Sequence, residues 1–69
     1  MKIRNYSKQE LATLYFPGSD PRTATGHLMR WINHCAPLSE ALAARHYRRS
    51  SKFFTSPQVA AIVEFIGEP

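Results

Sequence analysis

The sequence predicts a small, mostly α-helical domain of about four helices with a short β-hairpin. Two capping-box patterns, Ser7–Glu10 and Thr55–Gln58, each place a helix start at a defined residue. Asp20–Pro21 combines an acidic cap with a proline in the first turn, which is the start signal of another helix. Between residues 46 and 54 the pattern changes to aromatic and β-prone residues around a basic turn, which favours paired strands.

The first helix is predicted to begin after Ser7. The Ser7 hydroxyl can accept a hydrogen bond from a first-turn amide, and Glu10 can accept one from the Ser7 amide. Apolar residues then share one face at helical spacing: Leu11, Leu14 and Tyr15. We expect the helix to end near Phe16, since Pro17–Gly18 does not readily continue a helix.

The second helix, residues 21–35, is predicted to be the longest. Its apolar stripe consists of Ala24, Leu28, Trp31, Ile32 and Cys35. Its opposite face consists of Arg22, Gly26, Met29, Arg30 and Asn33. We therefore expect Trp31 and Cys35 to pack in the core, and the arginines to face solvent or a ligand.

Two further helices and the hairpin complete the predicted fold. Leu38–Arg45 is predicted as a short third helix that follows Pro37. Residues 46–54 form the predicted hairpin, although its Ser-Ser turn is a weaker signal than Asn-Gly. Apolar residues at helical spacing after Thr55 predict the last helix, which Gly67 is placed to terminate.

Composition places the chain among small globular proteins and excludes several classes. Its 69 residues make one domain, residues 1–69, and 43% of them are hydrophobic. No apolar run approaches the roughly 20 residues that span a bilayer, and the N-terminus does not resemble a signal peptide. We expect a cytoplasmic protein without membrane association, and the single cysteine is consistent with a reducing compartment.

Net charge indicates an anionic partner. Nine Lys and Arg residues against five Asp and Glu give +4, which favours phosphate backbones or acidic proteins. The distribution is more informative than the total, because residues 45–52 contain four cations and no acid.

The polar face of the second helix has the residue types of a DNA-reading helix. Arginine can bind guanine edges or phosphates, asparagine can read adenine, and threonine suits phosphate contacts. Gly26 would permit close approach of a backbone or another helix. An ordinary solvated helix face has the same composition, so this face alone does not distinguish a DNA-reading helix from a solvated one.

The predicted hairpin offers a second basic element. Arg48, Arg49 and Lys52 could hold phosphates beside a groove, or could simply discourage edge-to-edge strand pairing. Its aromatic residues could stack on unpaired bases, but Tyr47 and Phe54 are expected to pack beneath the hairpin, which leaves Phe53 as the least buried.

Nothing in the sequence favours an enzyme, a metal site or a cofactor. The carboxylates are scattered, and no glycine-rich phosphate loop is present. His27 and His34 are seven residues apart and lack the tight spacing of zinc ligand pairs. We expect no small-molecule substrate.

Several segments resemble known families. Tyr6–Ala12 resembles the "Y-[ST]-x-x-E-L-A" opening of MerR-like and excisionase-like winged helices, residues 28–31 their recognition helix, and residues 47–62 their wing and following helix. This resemblance implies a winged helix-turn-helix-like domain with a recognition helix at 21–35 and a basic wing at 46–54. Residues 16–21 lengthen the usual turn, so base-reading positions do not transfer directly.

The whole chain is more closely similar to a family of short uncharacterised bacterial proteins that carry a domain of unknown function. The shared patterns are "E-L-A-x-L-Y-F-P", "L-x-x-W-I", "F-T-x-x-Q-V-x-x-I-V" and "G-E-P", at residues 10–17, 28–32, 54–63 and 67–69. This similarity implies a shared fold and says little about activity.

The sequence therefore predicts a double-stranded DNA-binding protein, a small regulator or a recombination accessory factor. The expected DNA contacts are Arg22, Thr25, Gly26, Arg30, Asn33, Arg48, Arg49 and Lys52. The alternative is a protein-interaction adaptor or homodimer that uses an apolar surface including Met29, Ala61 and Phe65.

Overall fold

The computed structural model describes residues 1–69 and confirms the predicted fold class. Its elements, in chain order, are β1 (Tyr6–Ser7), α1 (Lys8–Tyr15), α2 (Pro21–His34), α3 (Ala36–Ala44), β2 (Phe53–Phe54) and α4 (Ser56–Ile66). Four helices and one two-stranded antiparallel sheet are consistent with a small winged helix-turn-helix-like domain. None of the four helices combines the length and the apolar character that crossing a membrane requires.

The starts of α1, α2 and α4 lie where the sequence predicts them. The helix α3 begins at Ala36, two residues before the predicted Leu38, because Pro37 is accommodated in its first turn. Ser7 Oγ accepts a hydrogen bond from the Glu10 amide, and Glu10 Oε1 accepts one from the Ser7 amide, both at 3.0 Å. At the start of α2, Asp20 Oδ1 accepts from the Thr23 amide at 3.0 Å. These bonds satisfy amides that have no partner inside the helix, so they fix where each helix begins.

The two capping carboxylates predict a loss of stability in acid. Hydrogen bonds from the Ser7 amide and hydroxyl lower the pKa of Glu10, and those from Thr23 lower the pKa of Asp20. A carboxyl group whose pKa is lower when folded stabilises the fold above its unfolded pKa and loses that contribution as the pH falls through its folded pKa. We expect the melting temperature to fall as the pH is lowered below the ordinary values of 4.5 and 3.8.

Thermal melts followed by circular dichroism between neutral and acidic pH measure this effect. A Glu10→Gln/Asp20→Asn variant is the matched control, because both amides can still cap a helix but do not titrate. Its melting temperature should depend less on pH over the same range. An equally steep dependence in the variant would show that other groups cause the acid loss.

The strand partner of β2 is not the one that the sequence predicts. Residues 46–54 were expected to pair with one another in a local hairpin, whereas β2 pairs with β1. Phe54 lies opposite Tyr6, and Phe53 lies opposite Ser7, in antiparallel register. The small sheet therefore joins the N-terminal segment to the residues just before α4.

The end of α3 explains why no strand forms near residue 46. His46 has a φ of 65°, in the left-handed region. Its amide donates to the Ala43 carbonyl at 3.1 Å, and the Tyr47 amide donates to the Leu42 carbonyl at 3.0 Å. This is the Schellman pattern of a helix C-terminus. Residues 46 and 47 thus terminate a helix, where the sequence predicted the start of a strand.

Every element contributes to the core. The buried apolar residues are Tyr6, Leu11, Ala12, Ala24, Leu28, Ile32, Leu38, Leu42, Phe54, Val59, Ala61 and Ile62. The predicted stripe of α2 is confirmed at Ala24, Leu28 and Ile32.

Trp31 is not in the core, contrary to the sequence prediction, because its side chain is 47% exposed. It lies at the flank of the α2 stripe, where the Phe16 ring packs against it with centroids 4.8 Å apart. Cys35 is half-buried and packs at the edge of the core, in the one-residue break between α2 and α3.

Gln58 is the one buried polar residue. Its Oε1 accepts from the Thr55 amide at 3.0 Å, and its Nε2 donates to the Arg45 carbonyl at 2.8 Å. One side chain therefore caps α4 and fastens it to the end of α3. Both polar atoms of its amide are satisfied, so its burial carries no unpaired-group penalty.

Candidate nucleic-acid interface

The segment from Arg45 to Lys52, which we call the basic loop, connects α3 to β2. A turn at its tip is closed by the Ser51 amide, which donates to the Arg48 carbonyl at 3.0 Å. The Ser51 hydroxyl donates in turn to the Phe53 carbonyl at 2.8 Å. The tip is thus a hydrogen-bonded turn, as predicted, although no strand precedes it.

Lys8, at the start of α1, fastens the basic loop to the rest of the domain. Its backbone amide donates to the Lys52 carbonyl at 2.9 Å, and its Nζ donates to the Arg49 carbonyl at 3.0 Å. The same ammonium group lies 4.9 Å from the centre of the Tyr47 ring. Lys8 is not among the residues predicted from the sequence, because nothing local to it indicates a contact 41 positions away.

Tyr47 connects the basic loop to α2. Its ring stacks on the buried Phe54 ring with centroids 5.3 Å apart, as expected for a residue beneath the loop. Its hydroxyl lies 3.9 Å from Met29 Sδ, toward which it donates. The basic loop therefore lies beside α2, and Met29, which the adaptor hypothesis needed exposed, is half-buried.

An open cleft of about 530 Å³ lies between α1, α2 and the basic loop. We call it the basic cleft, and its lining residues are Ser7, Lys8, Gln9, Thr25, Arg49, Ser50, Ser51, Lys52 and Phe53. Three of these are cations and none is an acid. Of the predicted DNA contacts, the cleft brings together Thr25, Arg49 and Lys52.

Thr25 forms part of the cleft wall. Its hydroxyl donates to the Pro21 carbonyl at 2.7 Å. While that bond holds, the hydroxyl can accept a hydrogen bond from a ligand but has no proton to donate to a phosphate.

The other predicted contacts lie outside the cleft on exposed surface: Arg22, Gly26, Arg30, Asn33 and Arg48. Arg22 precedes Thr25 by three residues and Asn33 follows Met29 by four, so both lie on the loop-facing flank of α2. Arg30 lies farther round the helix. No side chain or neighbouring element lies within 4 Å of the place that a side chain at Gly26 would take, so this glycine is not required for internal packing.

Most cations of this surface have no partner within the chain. The two ion pairs join the N-terminal ammonium group of Met1 to Glu68 and the side chain of Arg4 to Glu10. The cations whose side chains donate hydrogen bonds are Arg4, Lys8 and Arg45. The guanidinium and ammonium groups without a partner include Arg22, Arg30, Arg48, Arg49 and Lys52. No Asp or Glu occurs in residues 21–39 or 41–63, and none of these five cations forms an ion pair.

The fold and this surface define a class: small helical domains with a two-stranded sheet and a cationic cleft. The chain belongs to the family described as a domain of unknown function, DUF4248, whose model matches residues 2–69. This confirms the predicted membership of a short domain-of-unknown-function family. No curated protein and no solved structure matches the chain.

Proposed function

We propose that the protein binds double-stranded DNA in the manner of a winged helix-turn-helix domain. The observation that carries the proposal is the basic cleft, whose lining contains three cations and no acid, and where Thr25 of α2 adjoins the basic loop. The exposed arginines of α2, Arg22 and Arg30, lie outside the cleft, so a duplex that spans the cleft and the helix would meet cations from segments far apart in sequence.

In this proposal α2 enters the major groove. That groove is about 12 Å wide and admits one α-helix. The helix has 14 residues, one buried stripe and an exposed arc that includes Arg22, Arg30 and Asn33. Such side chains can read base edges, and Gly26 leaves space for a close approach of the sugar-phosphate backbone.

The basic loop holds the adjacent phosphates. Arg48, Arg49 and Lys52 have no internal partner, so binding a phosphate would not require breaking an ion pair of the folded protein. The turn and the Lys8 bonds order the loop before binding, which lowers the entropy lost on association. The protein would then act by occupying or bending DNA, as a regulator or a recombination accessory factor.

Fluorescence anisotropy with a labelled mixed-sequence duplex, about two helical turns long, tests the proposal. We expect binding at about 50 mM salt. If three to five cations contact phosphates, raising the salt to about 200 mM weakens binding by roughly 40-fold to 500-fold. No binding at the lower salt concentration would overturn the proposal.

The alternative is a protein-interaction adaptor, which one observation favours. Trp31 is 47% exposed and packs against Phe16 and Tyr15, so an aromatic surface lies on the flank of α2 opposite Met29. Phe65 is also exposed, but Ala61 is buried and unavailable to a partner. Sedimentation of the protein with and without duplex distinguishes self-association or partner binding from DNA binding.

A further inference from the structure

Phe53 is an exposed aromatic residue inside the basic cleft. At 60%, it has the largest exposed fraction among the large hydrophobic side chains. The other lining residues of the cleft are polar or charged. An apolar ring among cations and hydroxyls has no role in the core, which is filled by its neighbour Phe54.

The backbone holds the Phe53 ring in this exposed position. Phe53 lies opposite Ser7 in the sheet, and its carbonyl accepts from the Ser51 hydroxyl at 2.8 Å. Successive side chains of a strand point to opposite faces, so the burial of Phe54 directs Phe53 outward. The exposure of the Phe53 ring therefore follows from the strand pairing and from the hydrogen bond that its backbone accepts.

The chemistry of the cleft fits one nucleotide. Its volume of about 530 Å³ lies within the range of small-ligand sites, roughly 300–1,000 Å³. An aromatic ring can stack on any base, while arginine and lysine bind the phosphate that the base carries. A base inside an intact duplex has both faces covered by its neighbours, so only an unpaired base can use the ring.

We infer that the basic cleft takes an unpaired nucleotide of DNA, with its base on the Phe53 ring and its phosphate against Arg49 and Lys52. This inference rests on the proposed DNA binding and names the structural feature that the protein prefers: a duplex that carries a bulged or flipped-out base.

The test compares two labelled duplexes that differ by one unpaired 2-aminopurine. The wild-type protein should bind the bulged duplex about 5-fold to 100-fold more tightly than the plain one, and should quench the 2-aminopurine fluorescence. Phe53→Leu should abolish the preference and the quenching. Phe53→Tyr should retain both.

Phe65→Leu is the matched control, because Phe65 is 45% exposed on α4 and does not line the cleft. This variant should keep the preference for the bulge. Equal wild-type affinity for both duplexes would overturn the inference and leave duplex binding intact. Failure to bind the plain duplex, with Phe53-dependent binding of the bulged one, would instead overturn the proposed duplex binding alone. No binding of either duplex would overturn both.

Discussion

Replacing Phe54 with alanine is expected to lower the free energy of unfolding by about 3–5 kcal/mol. Phe54 is fully buried and stacks on Tyr47, and its backbone pairs with Tyr6. At roughly 0.05–0.15 kcal/mol per residue, a domain of 69 residues has a total stability of about 3–10 kcal/mol. The substitution should therefore leave the protein marginally folded or unfolded at room temperature.

Urea unfolding followed by circular dichroism measures this loss. Phe53→Ala is the matched control, since it removes the same side chain from the adjacent residue, where the ring is 60% exposed. We expect that variant to change the stability by less than about 1 kcal/mol. Similar losses in both variants would show that Phe54 does not have the packing role that its burial indicates.

Reversing two charges of the basic loop should have the largest effect on DNA binding. Arg48→Glu/Arg49→Glu removes two charge-assisted hydrogen bonds to phosphate, each of about 1.5–3 kcal/mol, and adds repulsion. We expect affinity for a duplex at low salt to fall by roughly 100-fold or more. The dependence of log K on log salt should also become shallower by about 2, because each lost phosphate contact changes the slope by about 1.

A single reversal elsewhere separates this local effect from a change in net charge. Lys2 is exposed, and the Met1–Glu68 ion pair of 3.0 Å places it near the end of α4. Lys2→Glu alters net charge as much as Arg49→Glu does, so general attraction predicts equal losses. The proposed interface predicts a loss of roughly tenfold for Arg49→Glu and a much smaller one for Lys2→Glu. Equal losses would exclude a specific role for the loop.

Helix positions were predictable from the sequence because their determinants are local. A cap and its partner are three residues apart, as in Ser7 and Glu10, and the buried stripe of α2 repeats every three to four residues. Trp31 shows the limit of such patterns. Periodicity places it in the predicted apolar stripe, but whether another element covers that side of the helix depends on packing that spacing alone does not specify.

The sheet and the cleft depend on contacts between distant residues. Tyr6 and Phe54 are partners across nearly the whole chain, and no capping or turn signal encodes that pairing. His46 has no sequence signal for a helix terminus comparable to glycine, so its left-handed φ was missed. The role of Lys8 was not predictable either, because it depends on where the basic loop folds back onto the start of α1.

The anchoring of the basic loop at both ends separates the residues that hold the loop in place from the residues that it exposes. Gln58 fixes the departure point at Arg45, and the Lys8 amide fixes the return point at Lys52. Between these points the side chains of residues 48–50 are exposed, so replacing one of them leaves both anchors in place. A substitution there would change the charge that the loop presents while leaving the frame that positions the loop unaltered.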